Sequence, residues 1–242
     1  MNLSFYSAAV GAEQQQQRLN VQSNNIANIS TSGFKAQKPS FSTLMYGTIQ
    51  GVNNETLTRG TGAAVTMADT DFEQGIIVPT QRALDYAIDG DGFFALYDPR
   101  TQQVSYTRDG SFIASVVERQ NAAGETETVK MLSDGDGRFV LSNRGKTIEL
   151  TNETEKPAIG VYTFASKDGM QRLDANRYVP VAKNGPALFG TGTVVSGSLE
   201  QSNADLGEQL VKVIEAQRSY SYALKMVQTS DEIESTVNAL RT

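Results

Sequence analysis

Two Asp-Gly-Asp-Gly runs, at 89–92 and 134–137, come nearest in residue type and spacing to a metal site. A calcium loop needs oxygen ligands at alternate positions, a glycine at position six and a glutamate at position twelve. Counting from Asp85 puts Leu96 at position twelve, and counting from Asp134 puts Arg138 where an oxygen ligand is required. Because Asp and Gly also favour tight and left-handed turns, we predict two turns here and no metal ligands.

Two further patterns suggest chemistry but do not complete it. Gly145-Lys146-Thr147 resembles the end of a phosphate loop, yet Val140 stands where an earlier glycine is required. Asp231 and Glu234 share one face of a predicted helix while Glu232 points elsewhere, which indicates a solvated face or salt bridges to a neighbouring subunit. The chain has no His and no Cys, which excludes a His-based triad, a thiolate metal site and a cysteine nucleophile. We therefore expect no enzyme, no catalytic residue, no metal and no cofactor.

The amino-acid composition argues against nucleic acid as a partner and against a membrane span as a feature of this protein. The chain has 242 residues and a net charge of −6, with a sequence pI near 4.8 and no basic block, so nucleic acid is not expected as a partner. No run approaches the roughly 20 apolar residues of a membrane span. The first basic residue is Arg18, so the start lacks the positive region of a cleaved signal peptide.

The first 33 residues read as a one-sided helix over 3–28. Phe5, Ala12, Leu19 and Ile26 recur every seven residues, which is the spacing of a seam that packs against another helix. The glutamine run 14–17 makes the middle of this seam polar. We interpret a polar seam as a surface for reversible or multi-partner packing.

The other end predicts a longer helix over 203–241, starting from a capping box at 202–205. Its apolar stripe then changes phase, since a second set of residues seven apart begins at Met226, and such a shift fits two partners at different heights. The first stripe consists of Leu206, Leu210, Val213, Gln217, Tyr220, Leu224 and Val227. The second consists of Met226, Ile233 and Leu240, joined by Val237.

The middle of the chain is β-rich. Glycines among Ser, Thr and Asn predict an extended connector over 36–85 with short strands at 63–67 and 75–78. Residues 106–112 are predicted to form a hairpin with a tight turn. Short β-type runs between turn signals indicate a sandwich or partly open barrel. These runs lie at 93–97, 104–107, 111–117, 126–132, 138–141, 147–150, 159–164 and 178–181.

The fold class is therefore predicted as α+β. Long terminal helices form a coiled-coil-like inner domain, an extended connector follows, and a β-rich outer domain lies between them. The predicted boundaries are 1–35 for the N-terminal helix, 36–85 for the connector, 86–197 for the β domain and 198–242 for the C-terminal helix.

The segment 24–35, Asn-Asn-Ile-Ala-Asn-Ile-Ser-Thr-Ser-Gly-Phe-Lys, closely resembles the N-terminal signature of bacterial flagellar rod and hook proteins. The resemblance continues in family order at 87–94, 106–112, 164–178, 197–206 and 215–220. Within the family, 41–46 and 59–62 look like the connector of the distal rod proteins, with the proximal rod proteins as the nearest alternative. The signature residues are Asn24, Asn25, Ala27, Asn28, Thr31, Gly33, Phe34 and Lys35.

This resemblance implies a structural subunit of the flagellar basal-body rod. The family would assemble as a helical tube that transmits motor torque to the hook and lines the export channel. Terminal helices would line the inside and the β domain would pack outside. The implied partners are copies of the chain, other rod proteins, the hook protein, the flagellar type III export apparatus and, where present, the bushing rings of the cell envelope.

Two other classes stay open at this stage. The β-rich region is compatible with an extracellular adhesive or binding domain on helical stalks, which binding of a glycan or surface by 86–197 alone would favour. An envelope hydrolase using Glu and Asp is the other, which turnover of cell-wall fragments would favour. We favour polymerisation, because one-sided helices at both ends must cover their apolar stripes with something, and we expect both ends to be largely disordered before assembly.

Overall fold

A computed structural model describes residues 3–43, 46–50, 56–60, 63–120, 126–150, 157–174 and 176–240. Among these residues, a long helix lies near each end of the chain and the sequence between them is rich in β-strands, which confirms the predicted α+β class. The helices are α1 (Leu3–Ala27) and α2 (Leu206–Ala239), with one 3-10 turn at Ala182–Asn184. The strands are β1 (Gln37–Thr43), β2 (Tyr46–Gln50), β3 (Thr56–Gly60), β4 (Ala63–Thr70), β5 (Ile77–Pro79), β6 (Tyr86–Asp89), β7 (Phe93–Tyr97), β8 (Val104–Thr107), β9 (Ile113–Gln120), β10 (Thr126–Ser133), β11 (Phe139–Val140), β12 (Val161–Thr163), β13 (Gln171–Arg172), β14 (Arg177–Val179), β15 (Leu188–Phe189), β16 (Thr193–Ser196) and β17 (Ser198–Glu200).

The chain forms two compact units. The helical unit comprises Met1–Ala27, Gln37–Asp69 and Asp205–Thr242, and the β unit comprises Asn28–Ala36 and Thr70–Ala204. Parts of the predicted connector motifs at 41–46 and 59–62 lie outside the described residues, as do the two residues at each end of the chain.

In the helical unit, α1 and α2 pack against each other in antiparallel directions. Asn25 near the end of α1 contacts Gln209 near the start of α2. Arg18, which precedes Asn25 in α1, contacts Glu215, which follows Gln209 in α2. Two strand pairs, β1 with β4 and β2 with β3, complete the described part of this unit.

Helix α2 begins later than the sequence predicts. Its N-cap is Asp205, whose side chain accepts a hydrogen bond from the backbone N–H of Glu208 at 2.8 Å. The predicted cap at Ser202 is not used, because Asn203 is occupied in the β unit. There its amide bridges the backbone N–H of Ala36 and the carbonyl of Asp71.

The β unit is built on one large antiparallel sheet with strand order β13-β14-β8-β7-β11-β10-β9, and β12 pairs with β7 and β15. Among the described strands, the two end strands β13 and β9 do not pair with each other, so the barrel is not closed. Strand β7 is buried on both faces, since Phe94 and Leu96 enter one apolar core while Phe93 and Ala95 enter a second. This alternation is the period-2 pattern of a strand covered on both sides.

The predicted hairpin at 106–112 is wrong. Strand β8 pairs with β7 and β14, whereas β9 pairs with β10. The chain instead leaves β8 by passing close to β6, where a side chain on Gly110 would place its Cβ 1.6 Å from the carbonyl oxygen of Tyr86. The predicted strand at 147–150 is reduced to isolated bridges, Leu141 with Thr147 and Met131 with Glu149.

Candidate functional site

Three charged side chains meet in the interior of the β unit. Lys35 is 0%, Glu200 1% and Arg108 2% exposed. The Nζ of Lys35 donates to Oε1 of Glu200 at 2.6 Å, and Nη1 of Arg108 donates to Oε2 of the same carboxylate at 3.1 Å. We call Lys35, Arg108 and Glu200 the buried ion triad.

Each member of the triad comes from a different part of the chain. Lys35 follows the turns after α1, Arg108 follows β8, and Glu200 is the last residue of β17. Strand β17 is held by pairing with β5, in which Leu199 lies opposite Val78. The triad therefore joins the segment that leaves α1, the centre of the large sheet and the segment that leads into α2.

Backbone groups complete the hydrogen bonding of the triad. Lys35 also donates to the carbonyl of Glu73 at 2.6 Å, while the N–H of Gly75 donates to Oε1 of Glu200 at 2.8 Å. Arg108 donates to the carbonyls of Ile88 at 3.3 Å and Gly90 at 2.8 Å. These carbonyls offset the excess positive charge of two cations that share one carboxylate.

Burial has a measurable electrostatic consequence for Lys35. Loss of water lowers the pKa of its ammonium group, the nearby Glu200 carboxylate raises it, and the Arg108 guanidinium lowers it further. The ammonium is nevertheless fully covered and already donates to two oxygens, so it offers no open face to a substrate. The arrangement is suited to holding segments together and not to chemical turnover.

Signature residue Gly33 explains how Lys35 reaches this position. Its φ is +66°, and an added Cβ would lie 2.4 Å from the backbone nitrogen of Asp109, so only glycine fits both the conformation and the space. The N–H of Gly33 donates to the backbone carbonyl of Glu200 at 2.7 Å. The next residue, Phe34, is fully buried with the Arg172 guanidinium 4.5 Å from its ring centroid.

Asn25 performs a comparable task in the helical unit. Its side-chain amide donates to the carbonyl of Gln37 at 2.9 Å, and its Oδ1 accepts from the N–H of the same residue at 2.9 Å. Among the other signature residues, Asn28 and Thr31 bond to each other in the turn that follows α1, with Thr31 Oγ1 donating to Asn28 Oδ1. Asn24 and Ala27 are exposed positions of the last turn of α1.

The fully buried residues of α1 and α2 are polar or small. Gln209, Ala216 and Ser230 are the buried residues of α2 and lie seven residues apart or twice that. The buried residues of α1 whose side chains are described are Ala12, Gln14, Gln22 and Asn25. Within the described part of the chain, Oε1 of Gln15 and of Gln22 is buried without a hydrogen-bond partner.

Some of the predicted packing residues are buried or partly buried, and the others are exposed. Ala12 is buried, and Leu19, Ile26, Val213, Tyr220 and Val227 are partly buried. Phe5, Leu206, Leu210 and Leu224 are exposed, with Leu210 at 48% and Leu224 at 40%. The most buried positions of the seam therefore carry amides and small residues. Five larger apolar side chains are partly buried, and four of the predicted packing residues stay exposed.

Comparisons with known proteins follow the same two ends of the chain. A family model described as "Flagella basal body rod protein" matches residues 5–35, and one described as "Flagellar basal body rod FlgEFG protein C-terminal" matches residues 195–240. The flagellar basal-body rod protein FlgG of Bacillus subtilis (strain 168) is 31% identical, over 95% of this chain and 96% of that protein. This chain belongs to the flagellar basal-body rod protein family.

Further relatives with the same name come from other bacteria. FlgG of Borreliella burgdorferi is 30% identical over 100% of this chain and 99% of its own length. FlgG of Buchnera aphidicola subsp. Acyrthosiphon pisum is 30% identical over 95% of this chain and 96% of its own. The predicted resemblance to the rod family, with the distal rod proteins as the nearest class, is confirmed.

Two of the three triad residues lie inside the matched rod-family segments, Lys35 at the end of the first and Glu200 in the second. Lys35 was predicted only as a signature residue, and Arg108 and Glu200 were not predicted. One signal was available: a Lys and a Glu each stand in a segment with family resemblance, beside glycines that allow close backbone approach. Nothing in the local pattern around Arg108 shows that its side chain is buried.

Proposed function

We propose that this rod-family chain is a structural subunit of the bacterial flagellar basal-body rod and polymerises into a helical tube. The tube would transmit motor torque to the hook and line the export channel. The proposal rests on helix α2, whose fully buried residues are polar or small while many of its large apolar side chains are exposed.

Exposed apolar side chains recur along nearly the whole length of α2, among exposed polar ones. The exposed apolar residues are Leu206, Leu210, Val211, Ile214, Tyr222, Leu224, Met226, Ile233, Val237 and Leu240. Removal of apolar surface from water contributes about 25 cal/mol per Å², so covering ten such side chains is strongly favourable. A single chain leaves this stabilisation unused, whereas neighbouring copies can supply the cover.

The C-terminal end of α2 is exposed to solvent. Ser230 is the last buried residue, and residues 231–240 are all exposed. In the antiparallel pair, α1 has 25 residues and α2 has 34, so α2 continues past the end of its partner. We call residues 231–240 the overhang. Leu240 at its end is 84% exposed.

Polar residues occupy much of the fully buried part of the seam. Its buried amides gain little apolar stabilisation, and unpartnered oxygens on Gln15 and Gln22 cost free energy. We therefore propose that the helical unit is only marginally stable in the free chain and becomes stable when neighbours cover its outer face. A head-to-tail contact that does not close produces an open filament.

The packing residues of this assembly are proposed to be Phe5, Ala12, Leu19, Ile26, Leu206, Leu210, Val213, Tyr220, Leu224 and Val227. Some of these fill the seam within one chain, and the exposed ones contact neighbouring copies. The region 36–85 bridges layers as a connector, and the β-rich region 86–197 packs outside the helices.

The proposed partners are further copies of this chain, other rod proteins, the hook protein, the type III export apparatus and envelope bushing rings where the host has them. The proposed role is structural and not enzymatic. Within the described residues, no helix is long and apolar enough to cross a membrane. The bacterial flagellar basal body is the location.

A double substitution on the exposed stripe tests this function. Leu210→Asp with Leu224→Asp places two charges where neighbouring copies would pack, and it should abolish polymerisation while the β unit keeps its strand content. Electron microscopy detects filaments, and circular dichroism reports the fold. Motility of cells that carry the variant should be lost.

The matched control adds the same charge to the same helix. Thr229 and Thr236 are exposed polar residues of α2, seven residues apart on a face that contains neither Leu210 nor Leu224. Thr229→Asp with Thr236→Asp should polymerise like the unsubstituted chain. Normal filaments from the Leu210/Leu224 variant would refute the proposed packing.

A further inference from the structure

The two segments that connect the β unit to the helices touch each other inside the β unit. The N–H of Gly33 donates to the carbonyl of Glu200 at 2.7 Å, and the N–H of Ala36 donates to Oδ1 of Asn203 at 2.7 Å. Asn203 in turn donates to the carbonyls of Asp71 at 2.9 Å and Glu73 at 3.1 Å. Segments 28–36 and 198–204 therefore share one continuous hydrogen-bonded junction.

The buried ion triad lies at the centre of this junction. Lys35 and Glu200 are 165 residues apart in sequence, and Arg108 and Glu200 are 92 apart. Both carboxylate oxygens of Glu200 are used, one by Lys35 and Gly75 and the other by Arg108. Glu200 is thus the anion that both buried cations contact, while Arg108 also lies 4.0 Å from the exposed carboxylate of Asp91.

We propose that the buried ion triad is a lock that makes segments 28–36 and 198–204 order together or not at all. An unpaired charge inside a protein is strongly unfavourable, so Lys35 and Arg108 cannot both stay buried until Glu200 arrives. Conversely, Glu200 cannot stay buried without a cation. The N-terminal signature therefore holds its native position only when the segment leading into α2 is also in place.

This inference does not depend on the proposed function, because it concerns the β unit of a single chain. It has a directional consequence. Loss of Glu200 leaves Lys35 without an ion-pair partner among the described side chains and leaves Arg108 only the exposed carboxylate of Asp91 at 4.0 Å. Loss of Lys35 leaves the Arg108–Glu200 pair intact. Substitution of Glu200 should therefore disturb the junction much more than substitution of Lys35.

Hydrogen exchange followed by mass spectrometry of the dilute full-length chain tests the lock. In Glu200→Gln, amide exchange in 28–36, including Gly33 and Ala36, should accelerate on the order of 100-fold. In Lys35→Met, exchange in 198–204 should accelerate about 10-fold, since one charged hydrogen-bonded contact is lost. The decisive readout is the remote segment, which carries no substitution.

The control breaks another ion pair of the same unit. Arg138 donates to Asp134 at 2.6 Å and to Asp136 at 2.7 Å, away from both segments in sequence. Arg138→Gln should leave exchange in 28–36 and 198–204 unchanged. If Glu200→Gln does not fold, Lys35→Met alone decides. Protection of 198–204 unchanged in Lys35→Met, or a loss confined to the substituted segment in either variant, overturns the lock.

Discussion

The amide of Asn25 donates a hydrogen bond to Oε1 of Gln209 at 3.1 Å, although 184 residues separate the two in the chain. Both side chains are buried in the seam between α1 and α2. Asn25 also pairs with both backbone groups of Gln37, so one side chain fixes the end of α1 against a strand and against α2. A seam residue with three such bonds should contribute to assembly even though it contacts no neighbouring copy.

Asn25→Ala should raise the critical concentration for polymerisation about 10- to 100-fold, because buried partners of a lost hydrogen bond cost about 1–3 kcal/mol. Asn20 is an exposed residue of the same helix. Asn20→Ala should therefore leave the critical concentration unchanged. Sedimentation of polymers over a concentration series measures both, and equal values for the two variants would contradict the role of Asn25.

Gly33→Ala should destabilise the β unit more than Gly137→Ala does, since Gly137 is a left-handed glycine with open space around it. The substitution costs about 1–2 kcal/mol for the positive φ, and the steric conflict with the Asp109 backbone adds to this. Gly137 has a φ of +82° with nothing within 4 Å of an added Cβ, so Gly137→Ala isolates the conformational cost. Urea unfolding monitored by circular dichroism should show a larger loss for Gly33→Ala, and equal losses would remove the close approach as an explanation.

Tyr178 makes the stability of the β unit sensitive to alkaline pH. Burial raises the pKa of its hydroxyl from the ordinary value of 10.0 to about 12, and the nearby Arg172 lowers it in part. The folded chain therefore keeps a proton that the unfolded chain releases above pH 10. The free energy of unfolding should fall between pH 10 and about 12, by up to about 1.4 kcal/mol per pH unit.

Tyr178→Phe removes the contribution of Tyr178 to this pH dependence and leaves those of Tyr86, Tyr106 and Tyr162, whose pKa values burial also raises. Among the described residues the Tyr178 hydroxyl has no hydrogen-bond partner, so its loss should also raise the free energy of unfolding at neutral pH by roughly 1 kcal/mol. The difference between the two proteins, measured by urea unfolding at several pH values, isolates Tyr178 from other titrating groups. Parallel pH profiles would show that Tyr178 does not ionise with a raised pKa.

The overhang should be required for filaments but not for the fold of the single chain. Its apolar residues Ile233, Val237 and Leu240 are all more than half exposed. Replacing all three by serine should raise the critical concentration at least about 10-fold, since each contributes apolar burial in the filament. Sedimentation measures the effect, and circular dichroism should report strand signals like those of the unsubstituted chain.

The opposite face of the same region supplies the control. Gln228, Asp231 and Asn238 are exposed and lie together on the other side of α2. Serine at these three positions should leave assembly unchanged. If both triple variants assemble equally well, the overhang is not a contact surface.

Periodicity predicted the elements well where each segment carries its own signal. Strands β7 and β8 have the predicted bounds, and α1 ends one residue before its predicted end. The start of α2 was predicted too early, because Asn203 serves the junction of the β unit instead of a helix cap. Such a role depends on residues more than 100 positions away.

The packing of the helices shows a different limit. An apolar stripe predicts that a helix face will be covered, but it does not say whether the same chain or another copy covers it. In α2 the chain covers Gln209, Ala216 and Ser230 and leaves Leu210 and Leu224 exposed. The buried ion triad could not be predicted from local patterns, because nothing around Arg108 or Glu200 in the sequence shows that the fold brings them together.

We infer that the terminal helices gain their stable burial from neighbouring copies. Limited proteolysis of the dilute chain and of the polymer, with the fragments identified by mass spectrometry, tests this most directly. We predict cuts within 1–27 and 206–242 of the free chain, a resistant core over 70–204, and protection of both ends in the polymer. If the dilute chain resists the protease from end to end and does not self-associate, the terminal helices do not need neighbouring copies for stable burial.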